Sequence, residues 1–458
     1  MDVNGDDRAR VMHDWDERAE LLAHSVIGYA IERLKLRKDP HWGARPAAEL
    51  AAIVEPTVSA SGIGGHEALR VFRDVLMPAC RPMDDPLDLA YVPTAPTIAA
   101  TMFDLVVSAS SIFAGLWEAG AGAIAAENVA LEWLAQLAGF PPSAGGCFVS
   151  GGSAANLSAL VTARHAHAQA HPRPPRYCIA ATEEVHASVR AAANVMDVDV
   201  ALVEADQFGR MTGEALTRAL DRADGVFAVV ASAGTTNTGS VDHIDQVAEV
   251  CAARGLWLHV DGAYGLAALC APSARPRLAG IERADSFGVD PHKWMYAPYD
   301  CAALVYRSPS LAAAAHSQHG AYLDTVDRTE WNPADFAYHL SRRARGLPLW
   351  FSLATYGTDA YRAAVETTLS TARAFAAELR SRDEFELLLE PDLTVVVFQV
   401  RGWTEQQYRD WSSSRAKAGV VLIVPTSWHG EVCYRVCIID PRTTIEMLGA
   451  VLDDMAAA

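Results

Sequence analysis

The sequence has little positive charge and no long hydrophobic run. It carries 38 lysines and arginines against 56 acidic residues, a formal net charge of −18, so binding to nucleic acid or to anionic lipid is not expected. No apolar stretch approaches the ~20 residues that span a bilayer. The segment from Met1 to Glu20 is acidic and mixed, which predicts the absence of a signal peptide. Together these features predict a soluble, cytoplasmic protein without nucleic acid or membrane partners.

Cysteine is also sparse. The eight cysteines are scattered singly, and only Cys433 and Cys437 lie close together, at a spacing that does not suit a metal or redox hairpin. We therefore expect free thiols in a reducing compartment and no metal site. Two nucleotide-binding patterns are missing as well, since Gly151-Gly152-Ser153 matches neither the dinucleotide fingerprint nor the P-loop.

The composition is that of a globular protein with a sizeable core. With 458 residues, 51% of them hydrophobic and 21% charged, the chain is long enough for one large domain with additions or for two to three domains. We predict an N-terminal helical segment (1–85), a large domain (86–345) and a small C-terminal α+β domain (346–458).

The predicted large domain alternates helical stretches with short apolar strands, which is typical of βα units on a largely parallel sheet. Its predicted strands cover 147–150, 226–233, 256–260, 286–289 and 302–306. The C-terminal domain is predicted to contain a long helix ending near 382 and strands at 394–400, 421–424 and 432–439.

The first chemical motif is the Gly-Gly-Ser turn at 151–153. A strand ends there and an Ala/Leu-rich helix begins, so free backbone N–H groups and the positive end of the helix dipole face one spot. This arrangement suits a phosphate, with Gly152 allowing close approach and Ser153 donating a hydrogen bond. A plain turn capped by Ser153 is the alternative interpretation.

Two further motifs end predicted strands. Asp261 follows Leu-His-Val, where a carboxylate could form a charged hydrogen bond to a heteroaromatic N–H, or could simply cap a helix. Lys293 follows Asp-Pro-His, where burial and a neighbouring cation would lower the pKa of its amine and make it a Schiff-base nucleophile. An ordinary surface lysine is the alternative there.

Taken together, a phosphate cradle, a strand-end aspartate and a lysine form the set that a pyridoxal phosphate site requires. Their order resembles the group II pyridoxal-phosphate-dependent amino acid decarboxylases, of the aromatic-L-amino-acid and glutamate decarboxylase type. The resemblance extends from about Asp84 to Arg442 and is strongest in Asp290-Pro-His-Lys-Trp. It implies an α/β fold of type I, aspartate aminotransferase-like, with a mainly parallel seven-stranded sheet and a small C-terminal α+β domain.

The resemblance also implies roles for individual residues. Lys293 would form the aldimine with the cofactor, Asp261 would pair with its ring nitrogen, and His186 would stack on the ring, although a core or helix-capping imidazole is the alternative for His186. The other cofactor contacts it implies are Gly152, Ser153, Thr236, Ala263, Asp290 and His292. On the substrate side it implies Thr94, in a loop with Tyr91 that resembles the aromatic-type members.

Three aromatic side chains, Phe113, Trp117 and Tyr299, are candidates for a substrate pocket, or are simply core residues. Arg442 is a further candidate for a residue facing the site. The resemblance finally implies a homodimer with the active site at the subunit interface, and the N-terminal helices wrapping the partner.

The predicted reaction is decarboxylation of an L-amino acid, with an aromatic substrate favoured. One departure affects it: the family has a tyrosine on a mobile loop that helps to protonate Cα, and alignment on Leu340–Arg345 puts Pro333 near that position. Tyr322 and Tyr338 flank the loop and are possible substitutes. Oxygen-dependent conversion to an aldehyde, another Cα transformation, or a cofactor-binding scaffold without turnover are the alternatives.

Overall fold

The computed structural model describes residues 12–36, 43–318 and 329–458. Two sequence predictions therefore fall wholly or partly outside the described residues: the missing signal peptide, which involves residues 1–11, and the role of Tyr322. The chain forms two compact units. One comprises Met1–Asp85 with Ser413–Leu422, and the other comprises Pro86–Ser412 with Ile423–Ala458.

The first unit is helical, and its elements bury few apolar side chains. The longest helix, α1, begins after Asp16, whose carboxylate accepts a hydrogen bond from the Ala19 N–H, and α1 contains no buried residue. Among the residues described before 86, the α-helices are α1 (Glu17–Lys35), α2 (Ala47–Val54) and α3 (Gly65–Val71), with short 3₁₀ and π turns after α2 and α3.

The second unit contains the remaining helices, with α13 extending across the boundary at Ser413. Several begin at a side chain that satisfies a free N–H group, as Thr97, Thr212 and Thr444 do. In chain order the helices are α4 (Ile98–Ala109), α5 (Trp117–Leu137), α6 (Gly152–Ala170), α7 (Ala187–Met196), α8 (Gly213–Leu220), α9 (Ile244–Arg254), α10 (Pro309–His316), α11 (Leu347–Tyr356), α12 (Thr358–Arg380), α13 (Glu405–Lys417) and α14 (Ile445–Ala456).

A seven-stranded sheet forms the centre of this unit, in the order β1-β7-β6-β5-β4-β2-β3. Only β7 runs against its neighbours, so the sheet is mainly parallel, as predicted. Helices cover both faces and bury the apolar strands. The strands are β1 (Gly145–Val149), β2 (Cys178–Thr182), β3 (Asp199–Val203), β4 (Val226–Ser232), β5 (Trp257–Asp261), β6 (Ser286–Val289) and β7 (Ala302–Tyr306).

The C-terminal part of the same unit contains a four-stranded antiparallel sheet, in the order β10-β11-β9-β8. Its strands are β8 (Phe385–Leu387), β9 (Val395–Val400), β10 (Pro425–Trp428) and β11 (Glu431–Cys437). The large sheet and this small α+β part define a type I fold, which confirms the predicted fold class.

The sequence prediction was wrong in three local respects. It missed β2, β3 and β8, because β2 is short and alanine-rich, β3 is partly exposed and β8 has only three residues, so none of them shows a strong apolar run. It placed a strand at 421–424, whereas the strand is β10. The single long helix expected up to 382 is two helices, because Gly357 has a positive φ of 77° that ends α11.

Two other expectations concern the whole chain. All eight cysteines are free thiols, as predicted, and the structure buries seven of them. Among the described residues, no helix is both long and apolar enough to cross a membrane.

Candidate active site

The candidate site lies at the carboxyl ends of neighbouring strands of the large sheet. Asp261 is the last residue of β5 and pairs across the sheet with Gly288 of β6. The chain then leaves β6 through Asp290 and reaches Lys293 within one turn. Because parallel strands end at one edge, these side chains converge although they are separated in sequence.

Lys293 forms an ion pair with Asp290. The Lys293 Nζ lies 2.9 Å from Asp290 Oδ2, and Asp290 is almost fully buried. Burial alone lowers the pKa of the Lys293 amine, but the carboxylates of Asp290 and Asp261 outweigh that effect and leave the pKa raised. The expected depression of this pKa is therefore wrong for the free amine, since the Asp290 carboxylate lies 2.9 Å from it.

Gly152 stands at the first turn of α6, beside the same group. A Cβ at Gly152 would lie 3.0 Å from Ala263 Cβ and 3.3 Å from both Asp290 carboxylate oxygens. A side chain there would crowd both neighbours, so the glycine keeps the start of α6 open to a ligand. Ser153 follows on the exposed side of the helix. The structure thus brings Gly152, Ala263, Asp290 and Lys293 together.

Asp261 is held by two donors on its two oxygens. The Ala263 N–H lies 3.2 Å from Oδ1, and the Asn156 Nδ2 lies 2.8 Å from Oδ2. Asn156 in turn contacts His259, which is fully buried. Burial lowers the pKa of His259 to about 4, so its ring is neutral at physiological pH.

His186 is the N-cap of α7. Its Nδ1 accepts a hydrogen bond from the Ser188 N–H at 3.2 Å, and Ser188 Oγ lies 2.7 Å from the same nitrogen. The capping role that the sequence left open is therefore present. It does not exclude a role in the site, because the ring is exposed and Ser188 Oγ also contacts Asn156.

His292 is buried next to the lysine. Its Nδ1 accepts from the Cys301 N–H at 3.1 Å, and its ring centroid lies 4.7 Å from that of Tyr299. Burial and the nearby Lys293 cation lower its pKa, although Asp290 opposes the shift. The half-exposed Tyr299 ring therefore packs directly against His292, one of the predicted cofactor residues.

The other predicted site residues are less closely connected to Lys293. Thr236 is exposed in the loop after β4, and within the described residues no hydrogen bond joins it to Lys293 or Asp261. Thr94 is buried, and its hydroxyl has no hydrogen-bond partner in the described part of the chain.

Tyr91 is exposed and its carbonyl accepts from Arg435. Arg442 pairs with Asp440.

Of the predicted aromatic pocket residues, Trp117 is the first residue of α5 and Phe113 lies in the segment before it. Both are partly buried; Phe113 lies against Gly115, and the Trp117 N–H donates to Asn332 Oδ1 at 2.9 Å. Pro333 follows Asn332 and is buried in a short 3₁₀ helix. Tyr338 is exposed and packs its ring against His339.

The sequence analysis missed Asn156, Ser188, His259 and Ser286. His259 stands in the Leu-His-Val run before Asp261, and Asn156 stands three residues after Ser153, but neither received a role. The available signal was the position of Asn156 one turn after Gly152, on the same face of a helix that is otherwise apolar there. A buried polar side chain in that place requires a partner.

The residues present fit pyridoxal phosphate. The cradle at Gly152 leaves room for an anion at a helix N-terminus, Asp261 is fixed at a strand end, and Lys293 supplies the amine. Asp290 Oδ1 is a buried acceptor that has no hydrogen-bond partner within the described residues. Fold and site together define a type I pyridoxal phosphate enzyme.

The comparisons with known proteins agree with a pyridoxal phosphate enzyme. Residues 63–401 match the pyridoxal-dependent decarboxylase conserved domain. The chain is 30% identical to the aromatic-L-amino-acid decarboxylase of Bacillus atrophaeus, covering 94% of each chain. It is 28% identical to the L-2,4-diaminobutyrate decarboxylase of Rhizobium meliloti, covering 90% of this chain and 82% of that one. The crystal structure of Oryza sativa TDC with PLP and tryptamine has the same fold, with a TM-score of 0.88 at 22% identity, covering 100% of this chain and 98% of that one.

The chain therefore belongs to the pyridoxal-dependent decarboxylase family. It is an amino acid carboxy-lyase that depends on pyridoxal phosphate.

Proposed function

We propose that the protein decarboxylates an aromatic L-amino acid to its amine and carbon dioxide, with Lys293 as the residue that binds the cofactor aldehyde. The observation that carries the proposal is the convergence of Lys293, Asp290 and Asp261 at one sheet edge, next to the cradle at Gly152. The names of the relatives, aromatic-L-amino-acid decarboxylases among them, support the choice of substrate.

Each residue has a distinct task in this proposal. The N–H groups at the start of α6, with Gly152 and Ser153, hold the phosphate. Asp261 would pair with the ring nitrogen and keep it protonated, and His186 and Ala263 would contact the ring. Thr236, Asp290 and His292 are the remaining cofactor contacts.

When bound, the cofactor supplies an electron sink for the pair released as the bond between Cα and the carboxylate breaks. The chain must orient that bond and exclude competing reactions. We assign carboxylate orientation to Thr94, whose buried hydroxyl is a donor without a partner in the described part of the chain. Tyr91, Phe113, Trp117 and Tyr299 are proposed to line the side-chain pocket.

The experiment combines cofactor trapping with product analysis. Borohydride reduction of the protein with bound pyridoxal phosphate, followed by peptide mapping, should place the reduced adduct on Lys293, and the Lys293→Ala variant should give none. A panel of aromatic, acidic and basic L-amino acids should release carbon dioxide from the aromatic members. Adduct on another lysine, or turnover confined to acidic substrates, would contradict the proposal. Cofactor binding without turnover of any substrate would favour a scaffold.

A second candidate is conversion of the amino acid to an aldehyde with release of carbon dioxide and ammonia, with oxygen reduced to peroxide. It is favoured by Pro333, which stands near the position of the family's loop tyrosine and is buried, so it offers no proton to Cα. Measuring amine against aldehyde and peroxide separates the two outcomes, and variants Tyr322→Phe and Tyr338→Phe test which tyrosine substitutes for the missing one.

We also propose a homodimer located in the cytoplasm. Helix α1 exposes Leu21, Val26, Ile27 and Ile31 and buries no side chain within its own chain, a pattern that suits an apolar face covered by a partner subunit. The eight free thiols suit a reducing compartment. Sedimentation analysis of the wild type and of an Ile27→Glu variant tests the dimer, which should weaken in the variant.

A further inference from the structure

Asn156 is the branching point of a buried hydrogen-bond network beneath the site. Its side chain is 1% exposed and contacts three other side chains. Nδ2 lies 2.8 Å from Asp261 Oδ2 and 2.9 Å from Ser188 Oγ, and Oδ1 lies 2.9 Å from His259 Nε2. These contacts use both amide hydrogens and the oxygen, so the side chain is fully satisfied.

The direction of the hydrogen bonds follows from chemistry. An ionised carboxylate can only accept, so the Asn156 atom that faces Asp261 must be the amide nitrogen. The Asn156 oxygen is then an acceptor, and it must receive the proton of His259 Nε2. The neutral ring of His259 consequently presents Nδ1 as an acceptor.

The hydrogen bonds at the Trp257 end of the network run in the same direction. Trp257 Nε1, which can only donate, lies 2.9 Å from Ser286 Oγ, and that oxygen lies 2.9 Å from His259 Nδ1. Ser286 therefore accepts from Trp257 and donates to His259. The sequence of donors leads from Trp257 through Ser286 and His259 to Asn156.

The second branch ends on His186. The Ser188 backbone N–H can only donate, so His186 Nδ1 carries no proton, and the Ser188 hydroxyl donates to it as well. The same hydroxyl accepts from Asn156. The proton of the neutral His186 ring is thereby held on Nε2, the nitrogen away from the helix cap.

We propose that Asn156 is a positioning residue that holds the Asp261 carboxylate directly and the His186 ring through the Ser188 hydroxyl, by one set of hydrogen bonds with a defined direction. The inference rests on the proposed function, in which Asp261 faces the cofactor ring nitrogen and His186 lies against the ring.

The two donors on Asp261 explain how it is oriented. Ala263 N–H holds Oδ1 and Asn156 holds Oδ2, so rotation of the carboxylate would break one bond or both. Two titratable groups also interact with Asp261, namely Lys293 and His259. Because His259 stays neutral, it does not neutralise the negative charge of Asp261, which can then interact with the cofactor ring.

The test compares two variants with the wild type. Asn156→Asp keeps the shape but replaces the donor facing Asp261 by an acceptor, so two carboxylates must share a proton. We expect cofactor binding to the cofactor-free protein to weaken about tenfold to a hundredfold, in line with loss of a hydrogen bond to a charged group, and the pH-dependent absorbance change of the bound cofactor to move to lower pH.

Ser188→Ala removes the hydroxyl that links Asn156 to His186 and keeps the backbone N–H bond to His186 Nδ1. We expect kcat to fall about tenfold, as for loss of one hydrogen bond, while the dissociation constant of the cofactor stays at the wild-type value. This milder variant keeps the test informative if Asn156→Asp folds poorly.

Thr162→Val is the matched control. Thr162 lies on the same helix, is fully buried, and bonds to Ser158 and Tyr306 outside the network. It should lower thermal stability without changing cofactor affinity, kcat or the absorbance profile.

Each outcome decides the matter. If Asn156→Asp lowers only the melting temperature of the cofactor-free protein and binds cofactor like the wild type, or if Ser188→Ala keeps wild-type kcat, the positioning role is overturned. If the wild type itself fails to bind the cofactor on Lys293 or to release carbon dioxide, the proposed function is rejected together with it.

Discussion

The Lys293 ammonium and the Asp290 carboxylate lie 2.9 Å apart, at the end of β6 where both are largely removed from water. The two residues are one helical turn apart in sequence, and Asp290 also lies next to Gly152. Asp290 therefore stabilises the charged form of the free lysine, raising its pKa, and lies next to the proposed phosphate cradle.

This ion pair predicts the pH dependence of cofactor capture. Only the neutral amine attacks an aldehyde, and Asp290 raises the pKa of Lys293, so capture by the wild type should accelerate as pH rises. In Asp290→Asn, burial still lowers the pKa of Lys293, but the carboxylate that mainly counteracts this effect is gone. Capture should then be several-fold faster at neutral pH, as measured by the growth of cofactor absorbance after rapid mixing.

The control for this prediction is Asp300→Asn, which removes a half-exposed carboxylate that pairs with Arg345 instead. An unchanged pH profile in Asp290→Asn would show that the ion pair does not govern the amine.

His259 predicts a loss of stability in acid. Burial lowers its pKa in the folded protein to about 4, below the ordinary value of 6.5, so the unfolded chain binds more protons between these two pH values. Stability is therefore fully present above about pH 6.5 and falls as pH drops toward 4, by up to about 1.4 kcal/mol per pH unit for this group.

Thermal unfolding of the wild type and of His259→Gln across this range measures the effect. The melting temperature of the variant should depend less steeply on pH, while His24→Gln, at an exposed position, should follow the wild type. Parallel profiles for all three proteins would refute the assignment.

Tyr299 predicts a contribution to substrate binding. Its ring packs against His292 with centroids 4.7 Å apart, and half of it is exposed toward solvent. Tyr299→Phe keeps this packing and should stay close to wild-type kcat/KM. Tyr299→Ala should raise KM for an aromatic substrate about three- to tenfold, the scale of one aromatic contact. Steady-state kinetics would contradict this if both variants lost activity equally.

The buried pair of Arg342 and Glu127 predicts a large effect on stability. Their side chains are 1% and 2% exposed and lie 2.8 Å apart, and Glu127 also accepts from the Gly346 N–H. Arg342→Met leaves Glu127 buried and uncompensated, which should cost about 3–5 kcal/mol. Chemical denaturation measures it.

Glu214→Ala serves as the comparison, because it removes an exposed partner of Arg218 on α8 and should leave the denaturation midpoint nearly unchanged. Equal midpoints for Arg342→Met and the wild type would contradict the prediction.

Much of the fold was accessible from sequence because its signals are local. The strands β6 and β7 are short apolar runs bounded by turn residues, and their limits were predicted residue for residue. The strand β3 was missed because its side chains are only partly buried, so its apolar pattern is weak. Gly357 separates two helices because its φ is positive, and the presence of a glycine alone does not predict that conformation.

The sequence by itself determined the family and the cofactor and supplied the candidate site residues, because Gly152, Asp261 and Lys293 stand in motifs that carry their chemistry locally. The tertiary structure decided how those motifs act on each other. It placed Asp290 against Lys293 and reversed the expected pKa shift, and it joined Asn156 to Asp261, Ser188 and His259. Electrostatic interactions and hydrogen bonds depend on distances between side chains, and those distances arise only when separate strands end at the same edge of the sheet.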